Sequence, residues 1–561
     1  MKIPNFGGRL RIAGAIIVAI LISSDALATG PLRHQALVGP NNALDSNGVG
    51  FFSLPPGIRP ANRVYRSPFR NARPSYAVRR HGRVQQLIGY NSQIQHIVVI
   101  YMENRTPEDL FGAYWNTTNQ ATHNTFGTDL NVVNPQTNVP ALSPMLLEGI
   151  IDPDHSHEPA FVNDAAGNWG SDSLFYVPTP APGSTSMPEV ANYISLIENW
   201  AYANTVLQSN EGPSFPAHQY AIAGQSGGLP GSKIAPNGLI ENPVPTPTPI
   251  GNPEPDDVAV GGGSCATTAG TEIVRTTNMT TPYPGNENAL GQATPPPCNE
   301  YQTIFDLMTT ANQNTPAYDL WQYIAEDTSI IWSGPMAVQH LYNAYNQAQN
   351  KAAQPFAADP DAQNFVANLT DNNPLPWRPF ANVTYITPCV RQSDHPNTSN
   401  FSNGPQWLAW VVNAIGESSY WPNTAIIVTW DDWGGFYDNY KVNSPPPTPW
   451  PYHPANNNYN NPSDPNEWGF RVPFLVISPW VTGRGYISSP LRSQGAILRF
   501  VEETFLPPDT SLGGDDEANG TAPRTIDDMF GFGRGNPGLP YVPLPTTFTP
   551  NPSGACPPAP M

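Results

Sequence analysis

Two apolar runs, far apart in the chain, each end in a pair of polar side chains. Ile97–Gly112 reads IVVIYMENRTPEDLFG, and its β-branched start leads to Glu103–Asn104. Ala425–Asp438 reads AIIVTWDDWGGFYD and leads to Asp431–Asp432 in the same way. Apolar runs of this kind are typical of strands buried in a parallel sheet. Because ligands bind outside the carboxyl ends of such strands, the two acidic tips predict one polar site.

Strand-like and helix-like segments alternate along the chain, which predicts an α/β fold. We expect a three-layer α/β/α sandwich with a mainly parallel central sheet and long Pro-rich loop insertions. The predicted core strands are Ile97–Tyr101, the run from Ala425 and Phe474–Ser478. The predicted helices are Thr106–Tyr114 with Thr106 as N-cap, Met187–Tyr202, Thr303–Thr310, Ala317–Ala325, Gly404–Ile415 and Ala496–Phe505.

Residues 1–28 have the features of a signal peptide. A basic start precedes the apolar stretch Ile12–Ser23, which is too short to span a bilayer comfortably, and an A-x-A site ends at Ala28. Cleavage there predicts a secreted or periplasmic protein, and the alternative is an uncleaved anchor. No later stretch is long and apolar enough for a stable membrane span.

The rest of the chain divides by composition. Residues 29–90 are predicted to be an N-terminal arm, 91–505 the main domain and 506–561 a Pro-rich C-terminal tail. A Pro/Gly-rich insertion, 227–300, interrupts the main domain.

The charge balance limits the class of partner. The formal net charge is −19, which argues against a nucleic-acid partner because phosphate backbones require a basic face. A small anionic substrate is not excluded, since a bound cation would dominate the local field. The sequence leaves the oligomeric state open.

Four cysteines predict two disulfides in an exported protein. Cys265 and Cys298 bracket one Pro/Gly-rich loop and are the favoured pair, which leaves Cys389 and Cys556 as the second pair by elimination.

The acidic tips carry oxygen donors that suit a metal ion. A carboxylate and an amide oxygen, as in Glu103 and Asn104, are ligands for a hard divalent cation. Asp431 and Asp432 precede two glycines, and both can turn inward if the chain bends there. The alternative is that each pair lies in a solvated turn. An all-oxygen set predicts one divalent ion of Mg, Ca or Mn, whereas participation of nearby histidines would allow Zn or Fe.

Ser214 is the candidate nucleophile. It lies in the sequence GPSFP, where a helix is predicted to begin near Phe215, with Ser214 as its N-cap. A helix N-terminus binds phosphate oxygens and stabilises a serine hydroxyl in its alkoxide form, and a nearby metal ion strengthens this effect. The alternative is a plain capping serine.

His155 and His395 lie in polar loops that read DPDHSH and SDHP. His395 is a candidate donor to a phosphoryl oxygen or leaving group, with Asp394 orienting it, and His155 is a candidate phosphate contact. Each could instead be a metal ligand or a surface residue. The remaining histidines, including His218 four residues after Ser214, are interpreted as structural or surface residues.

A second serine, Ser226, lies in GQSGG and fits the G-x-S-x-G pattern of a nucleophile elbow. That motif requires a strand before it and a helix after it, and the following GLPGSKIAPNG cannot form a helix. The elbow is therefore disfavoured, and a metal-free serine esterase using Ser226 is kept as an alternative function.

Seven segments together resemble a known family. They are HIVVIYMENRTPEDLFG, DPDHSH, NEGPSFPAHQYAIAGQ, SDHP, NTAIIVTWDDWGGFYD, GFRVPFLVISPW and AILRFVE, in this order over about residues 95–505. The pattern is similar to the bacterial phosphoesterase family of non-haemolytic phospholipases C and related acid phosphatases, within the alkaline-phosphatase-like superfamily.

The resemblance implies a metal-dependent phosphoesterase that acts on a small phosphate ester or a phospholipid head group. It implies metal ligands at Glu103, Asn104, Ser214, Asp431 and Asp432. It also implies a phosphoserine formed at Ser214, with His155 and His395 stabilising the phosphoryl oxygens and the leaving group.

This chain departs from the family pattern at two places. Asn439 stands where the family often has a histidine, and Arg492–Arg499 lacks the histidine usual in that helix. The departures leave the choice between monoester and lipid substrates open. They also keep a non-catalytic secreted binding protein as a further alternative.

Overall fold

The computed structural model describes parts of the predicted N-terminal arm, of the main domain and of the C-terminal segment. The described residues are 76–80, 83–87, 93–118, 142–147, 149, 151–155, 160–161, 164, 168–178, 189–210, 213–226, 265, 301–325, 332–347, 355–359, 362–370, 380–396, 403–439, 468–508, 510–518, 525–532 and 538–551. The predicted signal peptide and almost all of the 227–300 insertion lie outside them.

The described elements alternate between strands and helices. The strands are β1 Tyr76–Arg80, β2 Arg83–Leu87, β3 His96–Met102, β4 Ser143–Pro144, β5 Phe175–Tyr176, β6 Ala201–Ala203, β7 Val206–Leu207, β8 Trp321–Ala325, β9 Phe356–Ala358, β10 Val383–Ile386, β11 Thr424–Trp430, β12 Phe474–Ile477, β13 Tyr486–Ser488 and β14 Arg492–Ser493. The helices are α1 Pro107–Thr118, α2 Ala191–Asn199, α3 Ser214–Ala223, α4 Ile304–Ala311, α5 Ala317–Leu320, α6 Gln339–Gln347, α7 Gln363–Thr370, α8 Gly404–Gly416, α9 Gly495–Phe505 and α10 Asp515–Ala518.

An eight-stranded sheet forms the centre of the described fold. Its strand order is β13-β6-β12-β11-β3-β10-β8-β9. Only β12 runs antiparallel to its neighbours β11 and β6, and the other pairs are parallel. The predicted α/β class with a mainly parallel sheet is therefore confirmed.

The central strands β3 and β11 place the acidic tips side by side. Both strands are buried at every position, which explains their continuous apolar runs. They pair in parallel, and Trp430 is opposite Met102 at the end of the ladder. The next residues of the two strands are Asp431 and Glu103, so the register itself brings the two carboxylates to one edge.

The first helix follows the edge of β3 directly. Thr106 was predicted as its N-cap, and its Oγ1 accepts a hydrogen bond of 3.1 Å from the Asp109 N–H, as a capping hydroxyl does. The helix begins at Pro107, which has no N–H to leave unpaired.

Two predicted helices are wrong in part. Residues 321–325 were predicted as helix and instead form β8, because the WQYIA run pairs with β10 on one side and β9 on the other. The helix predicted over Met187–Tyr202 ends at Asn199, and Ala201–Ala203 form β6. In both cases pairing within the sheet overrides a helix-like local pattern.

The part of the chain after α9 packs against the domain. Residues 538–551 include Tyr541, whose hydroxyl donates to Asn413 Oδ1 on α8 at 2.6 Å. The Leu544 N–H donates to the same oxygen at 2.9 Å.

Neither described cysteine, Cys265 or Cys389, is a free thiol. Their predicted partners Cys298 and Cys556 lie outside the described residues, so the two pairings stay predictions. Among the described residues, no helix combines the length and apolar composition needed to cross a bilayer.

Candidate active site

Five predicted site residues meet at one buried point. The Ser214 Oγ lies 3.1 Å from Glu103 Oε2, 3.2 Å from Asp432 Oδ2 and 3.3 Å from Asn104 Oδ1. Asp431 joins the group through its Oδ1, which accepts a 2.9 Å hydrogen bond from the Asn104 N–H. All five side chains belong to residues with no exposed surface.

A bend after β11 turns both adjacent aspartates inward. Gly434 follows them in the left-handed conformation, with φ of 62°, and its N–H donates to Asp432 Oδ1 at 2.7 Å. A Cβ at Gly434 would lie 2.4 Å from the Asn104 carbonyl oxygen, so only glycine fits this close approach. Asn104 is itself left-handed, with φ of 59°. Backbone strain of this kind concentrates at functional sites.

Ser214 is the first residue of α3 rather than its N-cap. Pro213 precedes the helix and makes no side-chain cap. The Ser214 hydroxyl does not cap the helix because it points at the carboxylates of Glu103 and Asp432. The predicted position is thus wrong by one residue, and the hydroxyl still lies at the positive end of the helix dipole.

The carboxylates of Glu103, Asp431 and Asp432 lie close together in the buried site. Burial, followed by the neighbouring charges of Asp431 and Asp432, raises the pKa of Glu103 well above its usual range. Asp431 Oδ2 is buried and has no hydrogen-bond partner among the described residues. The Ser214 hydroxyl has one hydrogen for three acceptor oxygens. A divalent cation would satisfy these oxygens together, so the donor set fits a hard metal ion.

His155 and His395 lie on the other side of the Asn104 amide. The amide atom that faces the rings is 2.9 Å from His155 Nε2 and 3.1 Å from His395 Nε2. The Nδ1 atoms lie 2.8 Å from the Pro153 carbonyl and 2.7 Å from the Pro396 carbonyl.

A carbonyl oxygen can only accept, so Nδ1 of each histidine carries the hydrogen. In the neutral rings Nε2 then accepts, and Asn104 Nδ2 donates to both histidines. The Asn104 amide oxygen therefore faces the carboxylates and Ser214. Because an amide binds a metal ion through its oxygen, this orientation allows Asn104 to act as a ligand.

Asp394 does not orient His395, contrary to the sequence prediction. Its Oδ2 accepts hydrogen bonds from the Tyr193 hydroxyl at 2.6 Å and from Trp430 Nε1 at 3.2 Å. The Pro396 carbonyl holds the His395 ring instead. Asp394 has φ of 77°, a conformation that its buried partners hold in place.

His218 is a site residue that the sequence interpretation missed. Its Nε2 lies 2.8 Å from Glu103 Oε1 and 3.8 Å from Asp431 Oδ2. Glu103, His218 and Asp431 each offer an atom within 4.8 Å of the others, a group that could hold a metal ion. Burial lowers the pKa of His218 to about 4, so the ring is neutral. The sequence does indicate this role through the spacing of four residues between Ser214 and His218, because that spacing puts both side chains on one helix face.

Ser226 does not lie in a nucleophile elbow. It follows α3, which ends at Ala223 with Gly224 as a left-handed cap, so a helix and not a strand precedes it. A helix C-terminus carries the negative end of the dipole and disfavours an alkoxide. The helix before Ser226 thus agrees with the sequence pattern, which already disfavours an elbow.

Asn439, which stands where the resemblance places a histidine, belongs to a buried ion-pair cluster. Its Oδ1 accepts a 2.8 Å hydrogen bond from Arg471 Nη2. Arg471 also donates through Nε to Asp438 Oδ1 at 2.9 Å. His157, the second histidine of the DPDHSH segment, lies outside the described residues.

The fold and the site define an α/β protein with carboxylates, an amide and a serine gathered at the carboxyl edge of its central strands. A family model described as the Phosphoesterase family matches residues 94–506. The chain belongs to this family.

Curated relatives match over shorter stretches. The non-hemolytic phospholipase C of Pseudomonas aeruginosa is 29% identical over 143 residues, 22% of this chain and 20% of that protein. The non-specific phospholipase C6 of Arabidopsis thaliana is 32% identical over 92 residues, 16% of each chain. Phospholipase C A of Mycobacterium tuberculosis is 28% identical over 158 residues, 27% of this chain and 29% of that protein. The matches thus span less than a third of each relative.

Among solved structures, a protein in the alkaline phosphatase superfamily from Vibrio parahaemolyticus is similar at 10% identity. The match covers 79% of this chain and 74% of that chain, with a TM-score of 0.31. At this score the fold assignment rests on the sheet topology described above.

Proposed function

We propose that this protein hydrolyses phosphate esters, with Ser214 as the nucleophile and one divalent cation as cofactor. The observation that carries the proposal is the convergence of three acceptor oxygens on Ser214 Oγ at 3.1–3.3 Å. Membership of the Phosphoesterase family supports this class of reaction.

The residues proposed to hold the cation are Glu103, Asn104, Ser214, Asp431 and Asp432. Their oxygens fit Mg, Ca or Mn, and an additional histidine nitrogen would allow Zn or Fe. When bound, the cation offsets negative charge on Oγ and on the phosphoryl oxygens.

The reaction has two displacements at phosphorus. In the first, a bond forms between Ser214 Oγ and phosphorus while the bond to the leaving oxygen breaks, and the hydroxyl proton passes to an adjacent carboxylate. In the second, a water oxygen attacks phosphorus and the bond to Oγ breaks. The carboxylate returns its proton to Oγ, which regenerates the serine, and the proton that the attacking water loses balances the one that the leaving oxygen takes from solvent. His155 and His395 are proposed to contact the phosphoryl oxygens and the leaving group in their protonated form. Their Nδ1–H groups are held by backbone carbonyls, and a protonated Nε2 then donates to the substrate instead of accepting from Asn104 Nδ2.

The proposed substrates are a small phosphate ester or a phospholipid head group. The phospholipase C relatives support a phospholipid head group. Either substrate needs a site for one phosphoryl group. We propose export as well, with cleavage after Ala28.

The test is a hydrolysis panel of p-nitrophenyl phosphate, p-nitrophenyl phosphorylcholine and phosphatidylcholine vesicles, each with Mg, Ca, Mn, Zn or Fe and with a chelator. We expect turnover that depends on the added metal and is lost in Ser214→Ala. Ser226→Ala is the matched control and is expected to keep wild-type rates. Full activity of Ser214→Ala, or loss only in Ser226→Ala, would contradict the proposal. Binding of metal with no turnover on any ester would favour a binding protein.

A further inference from the structure

His218 and Ser214 share one carboxylate. They lie one turn apart on α3, and both are buried. Ser214 Oγ is 3.1 Å from Glu103 Oε2, while His218 Nε2 is 2.8 Å from Glu103 Oε1. One face of α3 therefore contacts both carboxylate oxygens of Glu103, with Ser214 at Oε2 and His218 at Oε1.

The position of the His218 proton follows from its two nitrogens. Nδ1 is buried and has no hydrogen-bond partner among the described residues. Nε2 faces a carboxylate oxygen at hydrogen-bond distance. A neutral ring that carries its hydrogen on Nε2 makes this bond. The other tautomer would bury an N–H without an acceptor and turn a lone pair toward the carboxylate of Glu103.

The same feature argues against His218 as a metal ligand. A histidine that binds a metal almost always donates its other ring N–H to a carboxylate, carbonyl or water, which fixes the ring. No described residue provides such an acceptor at His218 Nδ1. The ring is held through its contact with Glu103 instead.

We propose that His218 is a positioning residue for Glu103. Its Nε2–H holds Oε1, so that Oε2 faces Ser214 and the cation, and the centre binds its metal through oxygen atoms alone. The inference rests on the metal centre of the proposed function and deepens it. An all-oxygen centre favours Mg, Ca or Mn over Zn or Fe.

The test measures binding of Mn²⁺ alone and Zn²⁺ alone by equilibrium dialysis to the full-length protein and to two variants. His218→Gln keeps an N–H near the position of Nε2, and His218→Leu has a similar volume without a donor. We expect His218→Gln to keep Mn²⁺ affinity within about threefold, and His218→Leu to lose about ten- to hundredfold. The ratio of Zn²⁺ to Mn²⁺ affinity should be the same in His218→Gln and the wild type.

Two results would overturn the proposal. If His218→Gln loses Zn²⁺ affinity as strongly as His218→Leu, the ring nitrogen is a ligand. If both variants keep wild-type affinity, His218 does not act on Glu103. Melting of the metal-free variants checks that they fold. If His218→Leu does not fold, His218→Asn takes its place, because the shorter asparagine side chain does not reach Glu103 Oε1.

The dialysis readout is independent of turnover. Suppose that Mn²⁺ affinity is kept in His218→Gln and lost in His218→Leu, as expected, but the wild type hydrolyses no ester. That result would contradict the proposed function and leave the role of His218 supported. A wild-type protein that binds neither ion would overturn both.

Discussion

The Ser214 hydroxyl lies 3.1 Å from Glu103 Oε2 although 111 positions separate the two residues in the chain. The contact joins the start of α3 to the end of β3, at the edge where β11 delivers Asp431 and Asp432. A nucleophile candidate thus lies among the same oxygens that are proposed to bind a cation.

Replacing one carboxylate should separate metal binding from folding. Asp431→Asn puts an N–H donor where Oδ2 now lies without a partner among the described residues, and it relieves repulsion with Glu103. We expect the metal-free variant to melt at or above the wild-type temperature and to bind Mn²⁺ much more weakly. A ligand at a hundred times its Kd stabilises a protein by about 2.7 kcal/mol, so the wild type should show an Mn²⁺-dependent rise in Tm that the variant lacks. A variant with an unchanged rise would contradict the assignment of Asp431.

Gly434 should be essential for the bend that turns the aspartates inward. A Cβ there would lie 2.4 Å from the Asn104 carbonyl oxygen, and φ is 62°. Gly434→Ala should lower the free energy of unfolding by about 1–3 kcal/mol and weaken metal binding. Gly483→Ala is the control, because a Cβ at Gly483 meets nothing within 4 Å. Equal effects of the two changes in denaturant unfolding would rule out this explanation.

The conformation of the loop that carries His395 should depend on Tyr193. Its hydroxyl donates to Asp394 Oδ2 at 2.6 Å, and Asp394 has φ of 77°. Tyr193→Phe should cost about 1–2 kcal/mol of stability and reduce kcat, because a buried acceptor loses its donor. Tyr385→Phe is a matched control, since the buried Tyr385 hydroxyl has no partner among the described residues. If Tyr385→Phe proves as harmful as Tyr193→Phe, the hydrogen bond is not the cause.

Asp164 should make stability depend on pH. Burial raises its pKa from 3.8 to about 8. Between these values the folded protein holds a proton that the unfolded chain releases, so this group contributes less stability as the pH rises from about 4 to about 8. Asp164→Asn removes that dependence, and its free energy of unfolding relative to wild type should rise by up to about 1.4 kcal/mol per pH unit. Urea unfolding at pH 5, 6, 7 and 8 measures the difference, and a difference that stays flat or falls would refute the shift.

Much of the site follows from patterns that the sequence carries locally. A buried parallel strand requires a continuous apolar run, and its carboxyl end is where polar ligands gather, so Glu103, Asn104, Asp431 and Asp432 can be found from the two runs alone. The pair of glycines after Asp432 also indicates the bend. The surroundings of Ser214 predict a hydroxyl at a helix start, which suits either a phosphate contact or a plain cap, and the family resemblance favours the first.

The parts that were missed depend on contacts between distant segments. His218 gives no signal of its own, and only its place on the same helix face as Ser214 connects it to Glu103. Residues 321–325 look like helix and become β8 because β10 and β9 pair with them. Asp394 precedes His395 in sequence, yet Tyr193 and Trp430, from other elements, take its carboxylate.

The proposed mechanism requires that Ser214 is phosphorylated during turnover. The most direct measurement is mass spectrometry of peptides from metal-loaded protein that is mixed with p-nitrophenyl phosphate and quenched in acid within a turnover. We expect one added phosphoryl group on the peptide that contains Ser214, and none in Ser214→Ala. Hydrolysis that proceeds with no phosphoryl group on Ser214, or with the group on another residue, would contradict the account.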